Sequence, residues 1–153
     1  MTVVTAPLAG RVIPLADIGD PVFSRGLVGP GVAIDPARAP GVAVAPVDGT
    51  VAWTRPHAVV IVDGAGRGVL THLGIDTVEL AGEGFELLVG KGEMVTRGQP
   101  LIGWDPVGVE AAGKSAVCVV VMLAAEVIGQ DQELAGVCEG ADVTPGDSLF
   151  VWA

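Results

Sequence analysis

No stretch of this chain runs far without a glycine or a proline, and that punctuation limits the elements it can build. The 23 glycines and 11 prolines cut the chain into short, valine-rich segments. The longest apolar run, Ala116 to Ala125, falls far short of the roughly 20 residues a membrane-spanning helix needs. Short β-branched segments between turn formers favour strands over helices. Half the residues are hydrophobic but only 4% are aromatic, so the core must be built mainly from Val, Ala, Leu and Ile. A chain of 153 residues suits one domain, residues 1–153, with a core large enough to fold unaided.

Two internal echoes refine this picture. Ala6-Pro7-Leu8-Ala9-Gly10-Arg11-Val12 is repeated as Ala45-Pro46-Val47-Asp48-Gly49-Thr50-Val51. Gly92 to Leu101 is repeated as Gly140 to Leu149, and each copy leads to a tryptophan at a matching position, Trp104 and Trp152. The spacing is too irregular for a solenoid. It predicts an all-β, antiparallel β-sandwich with pseudo-symmetric halves, in which the glycine of each copy serves a turn. Helix is confined to one or two short turns, one within Asp105 to Ser115 entered at Pro106, another within Glu126 to Leu134.

The net charge of −10 argues against nucleic acid as a partner and suits a partner with a basic docking face. The N-terminus, Met1-Thr2-Val3-Val4, lacks the basic and apolar regions of a signal peptide, so a cytoplasmic location without membrane insertion is expected. Cys118 and Cys138 lack a CxxC spacing and read as reduced thiols packed as small apolar residues.

The chain has two histidines, His57 and His72, separated by two β-forming flanks around Gly64-Ala65. A two-residue type II′ loop at Gly64-Ala65 pairs Asp63 with Gly66 and, counting outward, His57 with His72. The imidazoles then face each other with Cβ atoms roughly 4.5–5.5 Å apart, on one face with Val59, Ile61 and Leu70. Such a pair has three uses open to it. A neutral ring-nitrogen lone pair can attack a phosphoryl group while the second ring donates to its oxygens. The pair can hold zinc, although it fills only half of a tetrahedral site. Or both can be ordinary, partly buried polar residues.

At these residues the chain resembles the glucose-family enzyme IIA of the phosphoenolpyruvate-dependent sugar phosphotransferase system. The segments that carry the resemblance are Ala45-Pro46-Val47-Asp48-Gly49-Thr50, Pro56-His57-Ala58, and Thr71-His72-Leu73-Gly74-Ile75-Asp76-Thr77-Val78-Glu79-Leu80 running on to Gly82-Glu83-Gly84-Phe85. Ala6 to Gly10, Gly29 to Ile34 and Gly146 to Leu149 extend it over nearly the whole chain. The resemblance implies an antiparallel β-sandwich and a phosphotransferase component, with His72 phosphorylated and His57 supporting it. It implies a histidine-containing phosphocarrier protein as donor and a cysteine on the IIB domain of a membrane sugar transporter as acceptor. It also implies other transporters or enzymes regulated by docking of the unphosphorylated form. Its apolar docking ring maps to Val22, Phe23, Trp53, Leu70 and Val78, flanked by Asp20 and Asp76. No cofactor is required, and zinc is expected at most as a weak ligand of the histidine pair, completed by a partner carboxylate. One departure stands beside the site: Arg55-Pro56 precede His57 where many relatives carry a small polar residue that orients the histidine, which makes Arg55 a candidate for phosphate contact.

Three rivals are weaker. A zinc-dependent peptidase on a similar scaffold needs His-x-His and further ligands, and only two histidines exist. A swinging-arm cofactor domain fits the rhythm of Gly92 to Trp104, but the only lysines, Lys91 and Lys114, do not sit in a Met-Lys hairpin tip. A non-catalytic regulatory binding protein would use the same docking face.

Overall fold

The structure, a computed structural model, describes residues 2–20, 30–123 and 139–152. Its strands are β1 (Thr2–Thr5), β2 (Gly10–Ile13), β3 (Gly31–Pro36), β4 (Gly41–Val44), β5 (Gly49–Arg55), β6 (Ala58–Val62) and β7 (Gly68–Ile75). They continue as β8 (Phe85–Leu87), β9 (Met94–Val95), β10 (Pro100–Trp104), β11 (Ser115–Met122), β12 (Asp142–Val143) and β13 (Ser148–Trp152). Among the described residues one short α-helix, α1 (Pro106–Ala111), starts where Pro106 presets the first turn and the Asp105 side chain accepts from the Val107 N–H. Val22, Phe23, Cys138 and the helical turn expected within Glu126 to Leu134 lie outside the described residues.

The strands form an eight-stranded sheet in the order β12-β2-β3-β11-β7-β6-β5-β9, a three-stranded sheet β4-β10-β8 and a two-stranded sheet β1-β13. Every pairing is antiparallel. One apolar core joins the inner face of the large sheet, through Val12, Ile34, Val59, Ile61, Leu73 and Val120, to Val4, Leu101, Ile102, Leu149 and Phe150 of the smaller sheets. The opposite face of the large sheet carries a second cluster, Ala33, Ala58, Val60, Leu70, Ile75, Val117, Val119 and Val121, packed against Ile13, Leu15 and Ile18 among others. The longest apolar run of the sequence therefore covers the central strand β11 after its exposed first residue, Ser115; from Ala116 to Met122 the strand is buried on both faces and needs no polar alternation.

The internal echoes become a pseudo-twofold arrangement, and the copies exchange partners across it. Val12 bonds to the second glycine-rich copy, through Gly140 and Ala141, while Val51 bonds to the first, through Gly92 and Glu93. Thr5 N–H donates to the Pro46 carbonyl as Val44 N–H donates to that of Pro7. Trp104 ends β10 opposite Gly41, and Trp152 ends β13 opposite Thr2. The glycines of the first echo do not serve turns. A Cβ at Gly10 would run into the Asp35 carbonyl, and one at Gly49 into that of Val62, so close strand approach demands them. In the second echo Gly98 and Gly146 do occupy positive-φ turns, at 90° and 97°.

Candidate functional site

β6 and β7 form the hairpin expected between the histidines, but in a different register. Ala58, not His57, faces His72, and the pairing continues as Val59–Thr71, Val60–Leu70, Ile61–Val69 and Val62–Gly68. The loop holds three residues, Gly64 to Gly66, instead of two. Asp63 N–H donates to the Arg67 carbonyl at 2.9 Å, and the Asp63 carboxylate accepts from the N–H groups of Ala65 and Arg67. Gly66 takes φ 83°, the left-handed position that closes such a loop. The extra residue turns Val59 and Ile61 to the inner core, leaving Leu70 and Val60 on the face of His72.

The histidines meet nonetheless. His57 and Pro56 form the two-residue connection between Arg55 and Ala58, and the His57 carbonyl accepts from Leu73 N–H at 2.8 Å. That places His57 diagonally beside His72, with ring centroids 4.9 Å apart and planes inclined at 76°. On its other side the His57 ring stands edge-on to Phe85 at 6.2 Å, and Phe85 stacks on Trp104. Packing between Phe85 and His72 thus orients His57. Sequence reasoning missed Phe85 in this role because the ring arrives from β8, in another sheet.

The pseudo-twofold shows why there is one such site. Met122 N–H bonds to the Pro30 carbonyl as Leu73 N–H bonds to that of His57, and Gly31 faces Val121 as Ala58 faces His72. The positions equivalent to His57 and His72 are therefore Pro30 and Val121, which carry no chemistry.

His72 is half-buried and its Nδ1 lies 2.7 Å from the Gly74 carbonyl oxygen. That oxygen can only accept, so Nδ1 carries the proton of the neutral ring and the lone pair resides on Nε2. The local chain is built for this contact. Gly74 has φ 82°, Asp76 φ 60°, and the buried Thr77 hydroxyl donates to the Leu73 carbonyl at 2.8 Å, tying the 3-10 turn Thr77–Leu80 back onto β7. Burial pushes the His72 pKa below its ordinary value, opposed by the Gly74 contact and the charges of Asp20 and Asp76. Burial, the His72 ring and the Arg55 charge together lower that of His57 to about 4. Both rings are neutral at pH 7.

The expected docking residues take different positions. Val78 is 65% exposed, beside the exposed Asp76. Trp53 is partly exposed and pairs with Val60 on the face of His72. Leu70 is buried in that face and forms its floor. Arg55 lies with its guanidinium 4.5 Å from the centre of the Trp53 ring and donates to the Thr54 carbonyl. Among the described residues no group of three or more His, Cys, Asp or Glu side chains is placed to hold a metal ion, and no helix is long and apolar enough to cross a membrane. Cys118 is fully buried and unpaired in the core, and burial pushes its thiol pKa up.

A family model described as phosphoenolpyruvate-dependent sugar phosphotransferase system, EIIA 1, matches residues 2–128. The chain is 38% identical over 129 residues to the glucose-specific EIIBCA component of the phosphotransferase system of Corynebacterium glutamicum, covering 83% of this chain and 19% of that one. It is 42% identical over 104 residues to the mannose-specific EIIBCA component of the same species, covering 67% of this chain and 15% of that one. It thus spans less than a fifth of these relatives. Its fold is similar to that of glucose permease IIA from Mycoplasma capricolum, with a TM-score of 0.84 and 29% identity over 97% of this chain and 93% of that one.

Proposed function

Because the chain belongs to the EIIA 1 family of the phosphoenolpyruvate-dependent sugar phosphotransferase system, we propose that it is a phosphoryl carrier that is loaded on His72 Nε2. The observation that carries this reading is the contact between His72 Nδ1 and the Gly74 carbonyl. It directs the lone pair to Nε2 and retains the ring proton on the other nitrogen throughout.

The donor is a histidine-containing phosphocarrier protein, and the acceptor is a cysteine on a IIB domain during sugar uptake in the cytoplasm. In loading, the Nε2 lone pair forms the new P–N bond as the donor's P–N bond breaks, and the donor imidazole leaves with that electron pair. No proton has to leave Nε2. The loaded ring keeps its Nδ1 proton on Gly74, gains cationic character beside Asp20 and Asp76, and is a good leaving group for onward transfer. His57, held neutral, donates a ring N–H to the phosphoryl oxygens. Catalysis of this kind needs positioning and charge stabilisation more than covalent machinery. The EIIBCA names of the relatives place an A unit in one chain with B and C units, which fits the proposed acceptor. Val78, Trp53, Asp76 and Asp20, with Val22 and Phe23, are the docking residues, and the same face serves regulatory docking in the unphosphorylated state.

Two single-turnover assays test this, one for loading from the phosphorylated carrier and one for discharge to a IIB domain. His72→Ala abolishes loading. His57→Ala loads, because Nε2 of His72 remains, but discharges roughly 10²–10³ more slowly, the loss typical of one preorganised donor. Normal loading of His72→Ala, or wild-type behaviour of both variants, refutes the reading.

A further inference from the structure

The sheet lines up side chains in rows across its outer face. Arg55 pairs with Ala58, Ala58 with His72, and His72 with Val119. Paired residues of antiparallel strands project to the same side, and neighbouring strands are about 4.8 Å apart. Arg55 and His72 therefore rise from one face across a gap of two strand spacings, with Ala58 the paired residue between them. Ala58 is fully buried beneath that gap.

Negative charge gathers at this saddle. Asp20 and Asp76 both act on His72, and a phosphoryl group brings up to two more negative charges. Among the described residues, Arg55 is the basic side chain whose charge registers on His57, the ring beside His72. Lys114 is engaged with Glu79, Arg38 with Asp35 and Glu110, and Arg11 with Asp142. Arg55 is held loosely by comparison. It is exposed, and its guanidinium rests on the partly exposed face of Trp53 and one carbonyl. An exposed cation–π contact is weaker than a charge-assisted fork on phosphate.

We propose that Arg55 is a phosphate-binding residue of this site, its guanidinium leaving Trp53 to cross Ala58 and hold the phosphoryl oxygens on His72. The role rests on the phosphocarrier reading and deepens it. Arg55 forms and breaks no covalent bond. It stabilises the loaded state and supplies the positive charge that His57, kept neutral, does not. The Trp53 ring parks the guanidinium while the site is empty, so the cation does not pair with Asp20 or Asp76.

The test compares wild type, Arg55→Gln and Arg55→Lys, each equilibrated with phosphorylated donor carrier. Phosphorus NMR reads both the loaded fraction and the pH titration of the phosphoryl group. Arg55→Gln lowers the loading equilibrium about tenfold or more, the scale of one charge-assisted hydrogen bond, and moves the phosphoryl ionisation to higher pH because a cation is gone. Arg55→Lys keeps a charge without the planar fork and falls between the two; it also serves if Arg55→Gln is poorly folded. A wild type that loads on His72, with an Arg55→Gln variant that equilibrates and titrates identically, overturns the role of Arg55 alone. A wild type that does not load overturns the phosphocarrier reading, and this role with it.

Discussion

His72 and Gly74 are joined across two residues of the same strand, ring nitrogen to carbonyl oxygen at 2.7 Å, and this contact leaves the lone pair of the neutral ring on Nε2. It depends on a backbone that only glycine adopts without strain. Gly74 has φ 82°, and a Cβ there would collide with the Thr77 side chain and come within 2.8 Å of the Ser115 carbonyl oxygen.

Gly74→Ala should accordingly destabilise the fold by about 2–4 kcal/mol, combining left-handed strain with the clash. Denaturant unfolding measures the loss. Nitrogen NMR of the imidazole should show a weakened preference for the proton on Nδ1. Unchanged stability and an unchanged tautomer would remove the Gly74 carbonyl from the account of the site.

The buried histidines should also set a pH limit on stability. His57 titrates near 4 in the folded protein, against an ordinary value of 6.5, and His72 is lowered too. Between those values the unfolded chain binds more protons, so stability rises with pH. It is fully present above about pH 6.5 and is lost as pH falls toward 4. Unfolding free energies across that window should slope upward with pH, and His57→Gln should flatten the slope, leaving the part due to His72. A His57→Gln variant with an unaltered slope would show that His57 is not held neutral by burial.

Asp76 sits at the exposed entrance of the 3-10 turn beside the exposed Val78. A rim charge of this kind steers a basic partner without contributing much to the chemistry. Asp76→Asn should slow association with the phosphocarrier on the order of two- to tenfold at low ionic strength, and the difference should vanish at high salt. Stopped-flow association at two salt concentrations distinguishes this from a change in the transfer step. Identical association rates at low salt would take Asp76 out of the docking surface.

Zinc should be dispensable for folding. Two imidazoles meet here, and a closed structural site takes four ligands. Chelation should leave the melting temperature unchanged, whereas added zinc should bind weakly and only while both His57 and His72 are present. A carboxylate from a docked partner would tighten it. Unfolding on chelation would reveal a structural metal.

Much of this was written in local pattern. The glycine and proline spacing announced short strands, the echoes announced pseudo-symmetric halves, and two histidines flanking a turn announced a meeting of imidazoles. Strand alternation and turn chemistry are local, so one chain suffices to read them. The pairing was not local. Asp63 takes two backbone donors and Gly66 a positive φ, which lengthens the loop by one residue, shifts the register and sends Val59 and Ile61 to the inner core. His57 then meets His72 from the neighbouring turn instead of from the facing position. Only the tertiary structure decided that each first echo pairs with the opposite second echo, that Phe85 orients His57, and that Arg55 shares a row with His72. Those relationships join strands far apart in sequence, and they depend on hydrogen-bond register and packing across sheets, which periodicity along one segment does not encode.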